Sequence, residues 1–218
     1  MPTEPLPPHR TRILPATILG QLRPACSMLV ILTVITGVLY PLGMTLAARI
    51  LFPRESSGSL LRAADGTVLG SLLIGQPFTE PGWFHGRPSA TGASPFDPTA
   101  SGGSNLGPTN PALAGTVAER VAAVQREEPS HAGAIPVDLV TASASGLDPH
   151  ISPRAALLQV PRVAAARGLP MEEVRDLVAG RIEPPLLGIL GRPRINVLTL
   201  NLALEALAPG GAGSPLPP

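Results

Sequence analysis

The sequence predicts an α+β fold, with one N-terminal transmembrane helix followed by a small, loop-rich α+β domain. Residues 24–48 are mostly apolar and uncharged, whereas helix-like and strand-like patterns alternate in the part that follows. The chain contains 28 Pro and 23 Gly but only 3% aromatic residues, which predicts many turns around an aliphatic core. We therefore divide it into an N-terminal tail (1–23), the span (24–48), a connection (49–66), the domain (67–208) and a disordered tail (209–218).

Composition excludes several classes of function. The formal net charge is +1, from 16 Arg, no Lys and 15 acidic residues, so the chain lacks the basic field that binds nucleic acid. Cys26 is the single cysteine, which excludes an intramolecular disulfide, and it lies at the start of the apolar segment, whereas a lipid-modified cysteine follows one. The 4 His residues show no ligand spacing, so we predict no metal site.

The apolar segment from Pro24 to Ala48 is long enough to cross a bilayer. At about 1.5 Å per residue it spans a hydrocarbon core of roughly 30 Å, and it is longer than the core of a cleaved signal peptide, about 7 to 15 residues. Pro41 and Gly43 predict a local bend rather than a break. Arg residues flank the segment on both sides, so charge alone leaves its orientation open.

A strand and a long loop follow the membrane segment. The apolar run from Val68 to Ile74 predicts the strand. Gly75 to Thr109 is rich in Gly, Pro, Ser and Thr and shows no helical period, which predicts a loop longer than compact domains usually contain. The aromatic residues Trp83, Phe84 and Phe96 indicate that this loop packs against the domain.

Four helices and one further strand are predicted in the rest of the domain. Cap residues followed by proline open helices at Pro111 to Glu127 and from Pro153 onward, and Pro161 should kink or split the second of these. Ile135 to Thr141 alternates as a short strand. The last two helices are predicted from Leu169-Pro170 to Gly180, and from Val197 to Leu207 after an Asn196 cap.

One glycine-containing loop has two interpretations. Ser101, Gly102, Gly103, Ser104 and Asn105 form a segment whose backbone amides could cradle the phosphates of a nucleotide. No Lys follows it, and the nearest helix begins only at Pro111, so the usual supports of a phosphate loop are missing. The other interpretation is a tight structural loop or one that contacts a partner.

A second cluster invites a hydrolase hypothesis. Asp148, His150 and Ser152 are the residue types of a catalytic triad, but such residues usually converge from separate parts of a fold. The same stretch also reads as a turn that leads into the Ser152 cap, with His150 at the surface or at an interface. As the main hypothesis we treat Asp148 and His150 as partner contacts, and we predict no catalytic residue.

Aromatic and basic residues in the long loop form another candidate contact. Trp83, Phe84, His85 and Arg87 include the residue types that anchor protein interfaces. They could equally fix the long loop to its own domain, and the sequence does not distinguish these two roles.

Several motifs together resemble one protein family, the C subunit of the bacterial Kdp potassium-transporting ATPase. They occur in the family's order and cover roughly residues 28 to 207. The matching segments are Ile74–Phe78, Trp83–Ala90, Ser101–Pro108, Val137–Ser143, Ser145–Pro153 and Arg194–Leu198.

The resemblance implies a place in a complex. In that family the A subunit is potassium-channel-like and selects potassium, the B subunit is the P-type pump that hydrolyses ATP, and a small F subunit accompanies them. The C subunit is accessory and non-hydrolysing, and it has been described as a catalytic chaperone that raises the pump subunit's affinity for ATP. Potassium and ATP are thus implied for the complex, with no cofactor of the C subunit's own.

The resemblance also implies an orientation: a single pass through the inner membrane, a cytoplasmic N-terminus and an extracytoplasmic domain. A domain on that side is remote from cytoplasmic ATP. A cap over the external ion entrance is therefore a further hypothesis for its role.

Overall fold

The computed structural model describes residues 15–92 and 94–207, and the chain divides into two compact units between Ser57 and Gly58. The tail predicted at 209–218 and most of the tail predicted at 1–23 lie outside the described residues.

The first unit is a long apolar helix. It consists of α1 (Pro15–Val34), a π-helical turn (Ile35–Leu39) and α2 (Tyr40–Leu51), followed by a 3-10 turn at Glu55–Ser57. The Tyr40 amide donates to the Ile35 carbonyl, five residues earlier. Pro41 has no amide and its ring would crowd the preceding turn, so the wider π turn accommodates it within an unbroken helix.

This helix is able to cross a membrane by length and composition. The candidate span is Leu19–Leu51, 33 residues, and its charged residues are Arg23 and Arg49. It extends beyond the predicted 24–48 at both ends. A helix of this size is about 50 Å long, more than the roughly 30 Å of a hydrocarbon core.

The second unit begins with an antiparallel hairpin. Strand β1 (Leu60–Arg62) pairs with β2 (Val68–Ser71), and Leu60 lies opposite Ser71. The strand predicted from Val68 is confirmed, although it is shorter than the apolar run. Strand β1 lies within the segment expected to be a connection, and its three residues are too few to show a strand pattern.

Four helices and a short strand pair complete this unit. The helices are α3 (Pro111–Glu127), α4 (Pro153–Arg167), α5 (Met171–Ala179) and α6 (Val197–Leu207). Strands β3 (His150–Ile151) and β4 (Ile195–Asn196) pair antiparallel immediately before α4 and α6. All four helices were predicted. The Asn110, Ser152 and Asn196 side chains accept from backbone amides at the starts of α3, α4 and α6, as expected of caps.

One local prediction is wrong, and for a second, one of the two predicted outcomes does not occur. Residues 135–141 do not form a strand; Val137–Leu139 is a 3-10 turn, and the Thr141 hydroxyl donates back to the Val137 carbonyl at 2.7 Å. Pro161 does not split α4, which continues to Arg167. A proline inside a helix costs about 3 kcal/mol, and the burial of Val160, Val163 and Ala164 beside it offsets that cost.

The core lies between the loop and the last three helices. Trp83 and Phe84 of the loop are 2% and 0% exposed, and they belong to one cluster with residues of β3, α4, α5, β4 and α6. The prediction that the long loop packs against the domain is confirmed. The fully buried aliphatic members of the cluster include Ile151, Val163, Val174, Ile195, Leu200 and Leu204.

Candidate functional site

The main polar cluster joins the long loop to the segment before α4. Arg87 Nη1 donates to Asp148 Oδ2 at 2.9 Å, and Arg87 Nη2 donates to the carbonyls of Thr141 and Ala142 at 3.4 and 3.3 Å. The other carboxylate oxygen of Asp148 lies 3.1 Å from His150 Nδ1 and accepts from the His150 amide at 3.0 Å. The structure thus brings together three of the predicted contact residues.

The electrostatics of this cluster favour an ionised Asp148. Burial by itself would raise the pKa of Asp148, but the hydrogen bonds from the His150 ring and amide and from Arg87 outweigh it, and the pKa is lowered below its ordinary value. Arg87 Nε is buried and makes no hydrogen bond within the described part of the chain. The cluster therefore holds a fixed ion pair at a partly exposed surface.

The triad hypothesis fails on the position of Ser152. The Ser152 hydroxyl donates to Asp138 Oδ1 at 3.2 Å and accepts from the Ala155 amide at 3.1 Å, while the Ser152 amide donates to Asp138 Oδ2 at 2.6 Å. These bonds are those of a helix cap supported by a carboxylate. A nucleophile needs its hydroxyl bonded to a base, and here it is bonded to Asp138 instead of His150.

A cleft of about 600 Å³ lies beside the cluster. One wall contains Arg87, Asp138, Asp148, His150 and Ser152. The other wall is a β-ribbon, residues 183–194, in which Glu183 and Arg194 exchange backbone hydrogen bonds of 2.8 and 3.1 Å. We call this segment the 183–194 ribbon. The sequence analysis did not predict it.

The glycine loop forms hydrogen bonds with another segment of the same domain. The Gly102 amide donates to the Ser145 carbonyl at 2.9 Å, and the Ser101 hydroxyl donates to the same carbonyl at 3.1 Å. A Cβ on Gly103 would lie 3.0 Å from the Ala144 carbonyl oxygen, and Gly146 has a φ of +68°. These contacts favour the tight structural loop over a phosphate cradle, because the Gly102 amide is already occupied.

Two buried side-chain amides hold the aromatic part of the long loop. Asn201 accepts from the Phe84 amide at 2.9 Å and donates to the Phe84 carbonyl at 3.0 Å. Gln159 does the same for His85, at 2.7 and 3.1 Å. Of the two roles predicted for Trp83 and Phe84, a contact with a partner or attachment of the loop to its own domain, the structure favours the attachment. Their side chains lie inside the domain.

Charged residues reinforce this attachment. Arg162 donates to the Pro81 and Trp83 carbonyls at 2.6 and 2.9 Å and to Glu128 at 2.7 Å. The Arg167 guanidinium lies 4.1 Å above the Trp83 ring. Burial, together with the positive charge of Arg162, holds the pKa of His85 below its ordinary value, although Glu127 lies 3.3 Å from its ring. Burial raises the pKa of Glu128 against the effect of Arg162.

Sequence reasoning missed Asp138, Gln159 and Asn201 as positioning residues. The signal was present for Asn201, because a lone amide within the Leu-rich stretch of α6 needs a buried partner. Within the described residues no group of three or more His, Cys, Asp or Glu side chains is placed to hold a metal ion.

A family model and individual relatives of this chain all belong to one protein family. The model of the family described as "KdpC: K+-transporting ATPase, c chain" matches residues 22–206. The chain is 59% identical over 191 residues to the potassium-transporting ATPase KdpC subunit of Polaromonas naphthalenivorans, covering 88% of this chain and 97% of that protein. The KdpC subunits of Sorangium cellulosum and Variovorax paradoxus are 57% and 56% identical, over 86% of this chain and 98% and 96% of theirs.

Proposed function

Because the chain belongs to the KdpC family, the c chain of the K+-transporting ATPase, we propose that it is an accessory, non-hydrolysing subunit of an ATP-driven potassium uptake complex. The match over residues 22–206 carries this proposal, since it includes both the apolar helix and the folded unit. Potassium is the transported ion, and ATP is hydrolysed by another subunit.

The proposed partners are a potassium-channel-like A subunit, a P-type ATPase B subunit and a small F subunit. The apolar helix Leu19–Leu51 anchors the chain in the inner membrane in a single pass. We place the N-terminus in the cytoplasm and the folded unit outside it, where the unit stabilises the assembly and covers the external ion entrance. This arrangement rests on the family resemblance.

The cleft beside Arg87, Asp148 and His150 is the proposed contact with a partner subunit. Its charged groups are held rigidly by backbone and side-chain bonds, which lowers the entropy lost on binding. The Arg87 and Asp148 side chains are 23% and 28% exposed, so a partner subunit can reach the ion pair.

The two rival functions have less support. An enzyme based on Ser152 would need its hydroxyl free, and that hydroxyl caps α4. A nucleotide regulator based on residues 101–105 would need the Gly102 amide, which donates to Ser145. Any effect of this subunit on ATP affinity is therefore proposed to act through its partners.

Orientation and function can be tested in one strain that lacks the chromosomal copy. We expect the full chain to restore growth at limiting potassium. In intact cells with a permeabilised outer membrane, an impermeant maleimide should label Ser130→Cys, in an exposed turn, in a Cys26→Ser background. A matched Thr3→Cys variant should react only after lysis. Labelling of Thr3→Cys in unlysed cells would mean that the N-terminus is outside the cytoplasm and that the proposed orientation is wrong. Absence of growth at limiting potassium would contradict the proposed role in potassium uptake.

A further inference from the structure

The 183–194 ribbon ends in a tip of four exposed aliphatic side chains: Leu186, Leu187, Ile189 and Leu190. Leu186 and Leu190 also line the cleft, whereas Leu187 and Ile189 are not among its lining residues. Leu187 and Ile189 are each 81% exposed. They are the most exposed of the large apolar residues identified in the described part of the chain, the candidate span included. A contiguous apolar surface of this kind marks a contact with a protein or with lipid.

The conformation of Leu187 is also unfavourable for folding. Its φ is +55°, and the next residue, Gly188, has a φ of +75°. A turn with two left-handed residues normally contains Asn, Asp or Gly at its first position, because a branched side chain is strained there. Leu187 thus neither suits its turn nor buries its side chain. A residue that opposes two local rules at once indicates a role outside folding.

The charges around the tip are mainly positive. Arg192 and Arg194 lie on one arm of the ribbon and Arg181 lies two residues before the other, while Glu183 pairs with Arg194 at 3.0 Å. Aliphatic side chains at a projecting end with Arg residues behind them match the order of layers in a bilayer, apolar chains beneath anionic head groups. Side chains as exposed as Leu187 and Ile189 also need no preformed pocket in a fluid bilayer.

The chain itself keeps a bilayer close to this unit. The inference rests on the proposed function in this respect, since it takes the helix that ends at Leu51 as a membrane span. Residues 52–57 separate that helix from the second unit. Even fully extended they reach at most about 20 Å. The lipid surface is therefore present at a high effective concentration for any membrane-binding element of the unit.

We propose that the tip of the 183–194 ribbon inserts into the lipid surface and forms a second, reversible membrane contact of this subunit. The Leu187 and Ile189 side chains, which do not line the cleft, provide the attraction, and the Arg residues favour anionic lipids.

The test uses single-cysteine variants of the full chain in a Cys26→Ser background, each labelled with an environment-sensitive fluorophore. The variants are Leu187→Cys at the tip, Leu157→Cys as an exposed apolar control on α4, and Leu32→Cys in the span. They are reconstituted into liposomes of phosphatidylglycerol and phosphatidylcholine that contain nitroxide-labelled lipid. We expect loss of fluorescence at positions 187 and 32 but not at 157. The probe at position 187 should lose less fluorescence in liposomes of phosphatidylcholine alone.

The outcomes distinguish failure of the lipid contact at the tip from failure of the membrane span. Quenching at position 32 without quenching at 187 overturns the membrane contact and leaves the span intact. Absence of quenching at both positions contradicts the span itself, and with it the proposed function. If position 187 is unquenched in liposomes but becomes shielded from a soluble quencher in the purified complex, the tip binds another subunit and the proposal is wrong. An Ile189→Asp variant, still folded by circular dichroism, should abolish the signal from a probe at 187.

Discussion

Asn201 of helix α6 pairs with both backbone groups of Phe84, accepting from its amide at 2.9 Å and donating to its carbonyl at 3.0 Å. Gln159 of α4 forms the equivalent pair with His85. The backbone groups of Phe84 and His85 are thus hydrogen-bonded by two side-chain amides instead of by a neighbouring strand. This arrangement explains how a long loop, which has neither a strand nor an α-helix in its described residues, can contribute Trp83 and Phe84 to the core.

Replacement of Asn201 should therefore strongly destabilise the folded unit. Asn201→Ala leaves a buried amide and a buried carbonyl without partners, at about 1 to 3 kcal/mol each. We expect the free energy of unfolding to fall by about 2 to 5 kcal/mol in urea titrations followed by circular dichroism. Asn110→Ala, at the exposed cap of α3, is the matched control and should cost only about 1 kcal/mol. Equal losses for the two variants would refute the buried pairing.

The Arg87–Asp148 pair should show measurable coupling. Both side chains are only partly exposed, and each makes further bonds, so the pair is more ordered than a surface ion pair. A double-mutant cycle with Arg87→Ala and Asp148→Asn should give a coupling energy of about 1 to 2 kcal/mol. A coupling near zero would mean that the two residues act independently. Arg87→Lys should recover less than half of the stability lost in Arg87→Ala, since a lysine ammonium cannot bond to Asp148 and to two backbone carbonyls together.

Acid should weaken the folded unit partly through Asp148. The pKa of this carboxyl is lowered in the folded state, so the folded state binds fewer protons than the unfolded state. Its contribution is fully present above the ordinary value of 3.8 and is lost as the pH falls through that value towards the folded pKa. Asp148→Asn should flatten this part of the stability profile, measured by urea titrations at a series of pH values. A profile that is unchanged in Asp148→Asn would contradict the assignment.

The loop at 101–105 should have no direct role in nucleotide binding. Ser104 and Asn105 are exposed, so Ser104→Ala with Asn105→Gly removes their side chains without opening the core, and glycine tolerates the φ of +52° at position 105. We expect the KM for ATP of the purified complex to be unchanged. A several-fold increase in KM, with assembly intact, would restore the nucleotide hypothesis.

The sequence predicted the elements that carry clear local signals and missed those that do not. The caps at Asn110, Ser152 and Asn196 precede apolar periodicity, and each marks a helix that is present. Strand signals were less informative, because β1, β3 and β4 have only three, two and two residues. Residues 135–141 alternate like a strand, yet the chain turns there and Asp138 supports the cap of α4.

The candidate site was predictable only in part. Arg87, Asp148 and His150 could be named because of their residue types, but their contact joins positions 61 residues apart in the chain. The cleft also depends on the 183–194 ribbon, whose Pro, Gly and aliphatic residues match no common turn pattern. Leu187 at a left-handed position is the reason, since turn preferences predict Asn or Gly there.

The most direct test of the central claim is to identify the partners of this chain. The full chain is tagged at its C-terminus, extracted in mild detergent from potassium-starved cells, and assayed for the proteins and the ATPase activity that co-purify. We predict recovery of a P-type ATPase and a large multi-span subunit with potassium-stimulated ATP hydrolysis. Recovery should be reduced by Arg87→Ala but not by Arg154→Ala, at an exposed position. A chain recovered alone after cross-linking in intact membranes, without ATPase activity, would contradict the account.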